Sequence, residues 1–113
     1  MRDHSELTLR KQSDFIQVYN RGSSKGSKYV VVLYKKNNLD YTRTAFVASK
    51  KVGNSVKRNR ARRLMKAAYS NIKAKLIAGY DIVFVARSTI SEQNEMDVER
   101  AMFGAVRAAG LIN

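Results

Sequence analysis

Eight cations crowd the segment 50–66: Lys50, Lys51, Lys57, Arg58, Arg60, Arg62, Arg63 and Lys66. Between Asp40 and Asp81 there is no acidic side chain, while that interval holds eleven Lys and Arg, with Arg43, Lys73 and Lys75 completing the set. Arg58, Arg62 and Lys66 recur four residues apart, so on a helix they share one side, flanked by Arg60 and Arg63. Cations near a helix start oppose the backbone dipole at a cost of about 0.3–1 kcal/mol each, which folding alone would not select. A phosphate at the same place would accept the free N–H groups of the first turn and neutralise the cluster. Arginine forks pair with phosphate through two parallel hydrogen bonds, which favours a defined phosphate geometry over diffuse attraction. The chemistry these residues can do is therefore binding of a polyanion.

Groups for bond cleavage are missing. His4 is the single histidine, and no partner for a general base lies near it in sequence. Glu92, Glu95, Asp97 and Glu99 could imitate a metal cluster, but their spacing does not bring them to one face in a ligand set, and at a helix start they suit the dipole. Cysteine is absent, which excludes disulfides and thiolate metal sites and fits a reducing cytosol.

The elements that must carry the cluster follow from periodicity. From Ser55 to about Leu76, Ala61, Leu64, Met65, Ala68, Ile72 and Leu76 recur at three- and four-residue steps, a helix capped by Asn54 or Ser55 and ended by Gly79. The basic residues then line the face opposite Leu64 and Ala68. Upstream, Ser13 can cap a helix in which Phe15, Ile16 and Tyr19 share a face and Gly22 is the stop. Residues 1–11 form an extended arm, and 22–28 a mobile basic loop by composition. The β-branched and aromatic runs 29–34 and 44–49 read as a hairpin around the turn residues 35–40. The near-continuous apolar run 80–86 reads as a central strand covered on both faces. A last helix carries the stripe Val98, Ala101, Met102, Ala105, Val106 and Ala109, with Gly110 just past its end. The order is α-β-β-α-β-α, with room for one further short strand, and the fold class is α/β (α+β), a two-layer sandwich of three helices on a small mixed sheet.

At 113 residues the chain builds one core, so residues 1–113 are a single domain. Twenty-two Lys and Arg against nine Asp and Glu give +13, self-repulsion that a nucleic acid relieves. An anionic membrane is a weaker partner, because the apolar side of the basic helix lacks Trp and Phe and is needed by the core. No run approaches the roughly 18 apolar residues of a membrane span, and the first twenty residues lack a signal-peptide block, so a cytoplasmic location is expected.

The segment 49–69, SKKVGNSVKRNRARRLMKAAY, resembles the signature of the protein subunit of bacterial ribonuclease P: the Lys pair, the Gly53-Asn54 turn, the RNR run and the basic pair Arg62-Arg63 stand in the family's order and spacing. DFIQVY at 14–19 resembles its first helix, and GYDIVFVAR at 79–87 its late buried strand, so the likeness covers most of the chain. The resemblance implies a small protein that joins a catalytic RNA to remove the 5′ leader of precursor transfer RNA. The RNA would perform the cleavage, with Mg²⁺ held mainly by RNA phosphates. By position, the resemblance assigns catalytic-RNA contacts to Lys50, Lys51, Arg58, Asn59, Arg60, Arg62, Arg63 and Lys66, the last standing where the family commonly has Arg. It assigns a leader cleft to Phe15, Tyr19 and one residue of the 29–34 strand. For that third position Tyr34 is preferred over Leu33, since an aromatic ring can stack a base for about 1–3 kcal/mol. An aromatic pair four apart is ordinarily core, and only the resemblance turns Phe15 and Tyr19 toward a ligand. The protein would be a monomer within the complex and bind no membrane. Two other readings stay open: a general RNA-binding or ribosome-associated protein with no part in cleavage, and a nuclease that needs no RNA partner.

Overall fold

The computed structural model describes residues 7–113. Helix α1 (Gln12–Arg21) leads into strands β1 (Ser23–Gly26), β2 (Val30–Lys36) and β3 (Arg43–Val47), then helix α2 (Ser55–Ile72), strand β4 (Tyr80–Ala86) and helix α3 (Glu95–Ala108). The strands form one mixed sheet in the order β1-β2-β4-β3. This is the expected α+β class.

The pairing of strands departs from the sequence reading. β2 and β3 are not a hairpin: β4 lies between them, antiparallel to β2 and parallel to β3. The connection from β2 to β3 therefore crosses the start of β4, and it is tied there. Asn37 donates its backbone N–H to the Gly79 carbonyl at 3.0 Å, and its amide nitrogen to Asp81 Oδ1 at 2.9 Å. Asn38 takes a positive φ of 62° in this turn, a conformation Asn tolerates. Parallel β3 and β4 need a long crossover, which α2 supplies.

The 22–28 stretch is not all loop. Ser23–Gly26 pairs antiparallel with β2, in register from Ser23 opposite Tyr34 to Gly26 opposite Val31. Its residues have little strand preference; the open edge of β2 supplies the ladder that organises them. The arm is likewise ordered where it is described. Leu9 is 2% exposed, its N–H donates to the Thr44 carbonyl at 2.8 Å, and Thr44 N–H donates to the Leu7 carbonyl at 2.9 Å. Residues 1–6, with His4, lie outside the described residues.

The helices mostly fall where the periodicity puts them. Asn54 caps α2, its side chain accepting from Lys57 N–H at 3.0 Å. Ala61, Met65, Ala68 and Ile72 are its buried stripe, and it ends at Ile72 rather than Leu76, passing into a 3-10 turn at Lys73–Lys75. Gly79, with φ 94°, serves the turn into β4. Ser13 does not cap α1: Lys11 holds the N-cap position and no side chain bonds there.

Two cores follow from the alternation of β-strand side chains. On one face Val30, Val32, Ile82, Phe84 and Ala86 meet the stripes of α2 and α3. On the other, Leu9, Val18, Ala45 and Val83 pack together beneath α1. β4 contributes to both, as its unbroken apolar run requires. An aromatic cluster seats α2 on β3 and β4: Phe46 stacks on Phe84 at 5.4 Å, and Tyr69 meets the two rings at 5.6 and 5.5 Å.

Candidate nucleic-acid interface

The first turn of α2 contains no acid, so its exposed N–H groups and the surrounding cations form an uncompensated positive end. Lys50 and Lys51, both exposed, stand in the turn just before it. Gly53 shapes that turn with φ 141°, where a Cβ would come within 2.6 Å of the Lys57 side chain. Asn59, Arg63 and Lys66 project to solvent, while Arg58 and Arg62 are half-buried. Arg58 is steadied by the Ser55 hydroxyl at 3.1 Å and Arg62 by the Asn59 side-chain oxygen Oδ1. These guanidinium groups are held by neutral partners, not by carboxylates.

The cations do not all line one face. Arg60 turns toward α3 and donates to the Gln93 carbonyl at 2.9 Å, which ties the middle of the signature to the chain leading into α3. Arg43 has a different task. Its Nε and Nη2 hold Asp81 at 2.8 and 2.7 Å, and its Nη1 reaches Asp14 of α1 at 3.3 Å. The bond to Asp81 is the main cause of its raised pKa. Arg43 thus ties β3 to β4 and reaches α1 through Asp14.

Beside α1 the sheet is left as an apolar trough. Val31, Val85 and Val47 are cross-strand neighbours in one row, all half-buried on the α1 side. Phe15 borders them, half-buried against Val18 and Val83, and Tyr19 is 50% exposed. Val18 is the buried anchor of α1; Ile16, expected on the packed face, is 46% exposed. Burial of the rest of its ring raises the Tyr19 hydroxyl pKa. Phe15 thus packs partly on the second core, while half of Tyr19 stays open.

Leu33, not Tyr34, shares the trough with Phe15. Tyr34 points to the opposite face, toward Tyr80 at a ring separation of 6.4 Å. Successive side chains of a strand alternate, and the register of β2 against β4 sends Leu33 to the same side as Val83. At the far end of the trough the Arg87 guanidinium lies over Gly26, where a Cβ would approach it to 2.8 Å. Sequence reasoning passed over Arg87, since the loop reading of 22–28 gave it no neighbour.

The described carboxylates do not fit a resident divalent ion. Asp14 and Asp81 both engage Arg43, Glu99 accepts from Asn71 at 2.6 Å, and no three metal-ligating side chains group among the described residues. No described helix is long and apolar enough to cross a membrane.

Comparison with known proteins agrees with this fold. The family model described as ribonuclease P matches residues 4–110. A ribonuclease P protein component of Alkaliphilus metalliredigens is 41% identical over 96% of this chain and 98% of its own length. One of Clostridioides difficile is 44% identical over 88% of each chain. Among solved structures, the Staphylococcus aureus RNase P protein superposes with a TM-score of 0.84 at 26% identity, covering 95% of this chain and 98% of that one. The Thermotoga maritima RNase P protein gives 0.77 at 29% identity, covering 86% and 92%. With the signature at the start of α2, the strand order and the family match over nearly its whole length, the chain belongs to the ribonuclease P protein family.

Proposed function

We propose that this protein docks on the ribonuclease P RNA through the N-terminal half of α2 and holds the 5′ leader of precursor transfer RNA in the trough beside α1. A ribonuclease P protein component is part of an endoribonuclease. In this reading the RNA supplies the chemistry and binds the Mg²⁺, and the protein works as one copy per complex in the cytoplasm. Lys50, Lys51, Arg58, Asn59, Arg62, Arg63 and Lys66 contact phosphates of the catalytic RNA, with Arg60 serving both that surface and the tie to Gln93. Phe15, Tyr19 and Leu33 meet the leader.

The observation that carries this reading is the pairing of two unlike surfaces around β3: a helix start rich in Arg with no acid in its first turn, and an apolar trough with half-exposed rings. The first suits phosphates in a fixed geometry. The second suits unpaired bases, whose faces any aromatic ring can stack. Two RNAs held against one +13 body repel each other less, so substrate affinity rises without a protein nucleophile.

The test separates the two surfaces. Arg58→Ala and Arg63→Ala should each flatten the salt dependence of catalytic-RNA binding by about 0.7–0.9 in slope. Phe15→Ala and Tyr19→Ala should leave that slope alone and weaken precursor more than mature transfer RNA in the assembled enzyme. Equal weakening of both substrates would make the rings structural; an unchanged slope would remove the arginines from the interface.

A further inference from the structure

A second concavity adjoins the trough at Phe15 and Val47 and continues around β3. It is a groove of about 510 Å³ running over the open edge of β3 to the C-terminal half of α2, and its lining includes Leu9, Phe15, Phe46, Lys66, Tyr69 and Lys73. That volume is within the roughly 300–1,000 Å³ of clefts that enclose small ligands. No acidic side chain lines it. Lys66 and Lys73 are exposed at its rim, and Lys66 follows Arg62 by four residues on the same side of α2. The groove is thus continuous with the basic stripe that opens the helix.

Two polar features are open to it. The Tyr69 ring is largely buried against Phe46 and Phe84, yet its hydroxyl makes no hydrogen bond with any described residue and faces this groove. Burial pushes its pKa up to about 12, so it is a neutral donor. Along β3, Thr44 turns its N–H and C=O to the open edge and bonds Leu7 and Leu9 there. By the two-residue alternation Phe46 turns its own peptide groups to that edge, after the chain from Leu9 has turned away into α1.

We propose that this groove takes one unpaired nucleotide of the ribonuclease P RNA, its base lying against Phe46 and the edge of β3, and its flanking phosphates on Lys66 and Lys73. The occupant is the catalytic RNA because the groove continues the α2 stripe through Lys66 and Lys73, although it meets the α1 trough at Phe15. Apolar walls, a free phenol, edge amides and two ammonium groups together suit an unpaired base with its phosphates. The site deepens the function proposed above and depends on it.

The experiment measures binding of the full chain to a bacterial ribonuclease P RNA, with no substrate present, across a salt series. Tyr69→Phe keeps the ring and the aromatic cluster; it should weaken binding by about 3- to 10-fold with the salt slope unchanged, as loss of one hydrogen bond requires. Lys73→Gln should lower the slope by about 0.7, the value for one single-stranded phosphate contact. Ser70→Trp, at an exposed position beside the groove, should weaken binding by obstruction, and melting temperatures should stay within a few degrees in all three. RNA carrying 4-thiouridine should crosslink to a peptide containing Phe46 or Tyr69. Arg58→Ala is the control for the function itself. If it weakens binding while the three groove variants do not, the groove proposal is overturned and the interface stands; if none of the four weakens binding, both fall. Weakening seen only with precursor transfer RNA in the assembled enzyme would also overturn the proposal, because the occupant would then be the leader.

Discussion

Arg43 ties β3 to β4 through Asp81 and touches α1 through Asp14, and removing it has a magnitude the geometry supplies. Arg43→Met leaves Asp81, 7% exposed, with the Asn37 amide at 2.9 Å as its remaining side-chain partner. Breaking a fully buried ion pair by removing one partner costs about 3–5 kcal/mol. The two side chains here retain 21% and 10% exposure, and solvent screening lowers the expected loss to about 2–3 kcal/mol. The arm to Asp14 adds little, at 3.3 Å between quarter-exposed groups. For a domain of this size each kcal/mol moves the melting midpoint by about 4 °C, so a fall of about 8–12 °C is expected by calorimetry or circular dichroism. Asp81→Asn combined with Arg43→Met should lose less than the sum of the single changes, because the stranded charge is gone. Asp14 sits next to Phe15, so Arg43→Met should also narrow the affinity gap between precursor and mature transfer RNA. A midpoint shift below about 3 °C would refute the role given to this pair.

Leu33→Ala should reduce the preference of the assembled enzyme for precursor over mature transfer RNA, whereas Tyr34→Ala should leave the preference intact and lower the melting temperature through lost packing at Tyr80; competition binding with both substrates distinguishes them. Tyr69 is displaced from an ordinary value of 10.0 to about 12, so below pH 10 its neutral form contributes fully in folded and unfolded chains alike, and stability falls as pH rises from 10 toward 12. The loss reaches about 2–3 kcal/mol at its limit, and unfolding of Tyr69→Phe in a pH series should lack that component. Sulfate should raise the melting temperature more than chloride at equal ionic strength, since a doubly charged anion binding the folded cation cluster stabilises it by linkage.

The parts of this fold that were legible in sequence are those fixed by local rules. Asn54, the three- and four-residue steps from Ala61 to Ile72, and the stripe from Val98 to Val106 define α2 and α3 because capping and amphipathic burial act within a few turns. The apolar run Tyr80–Ala86 announced a strand buried on both sides. What was hidden depends on partners distant in sequence. The insertion of β4 between β2 and β3 rests on ladders between segments distant in sequence and is tied at one end by Asn37 and Asp81, and neither run of strand residues records it. Ser23–Gly26 becomes a strand only because β2 offers an edge. The assignment of Tyr34 failed for the same reason: the face of a strand residue is set by its register, and one step separates Leu33 in the trough from Tyr34 behind it. The basic signature was visible at once, while the engagement of Arg60 by Gln93 and of Arg43 by Asp81 needed the tertiary structure.

The central claim is that this protein assists an RNA enzyme and does no cleavage itself. The direct measurement is cleavage of a labelled precursor transfer RNA at low Mg²⁺ by the protein alone, by a bacterial ribonuclease P RNA alone, and by the two together. The account expects efficient cleavage only in the mixture, with a product that begins at the mature 5′ terminus. Cleavage by the protein alone would contradict it, and so would a mixture no more active than the RNA.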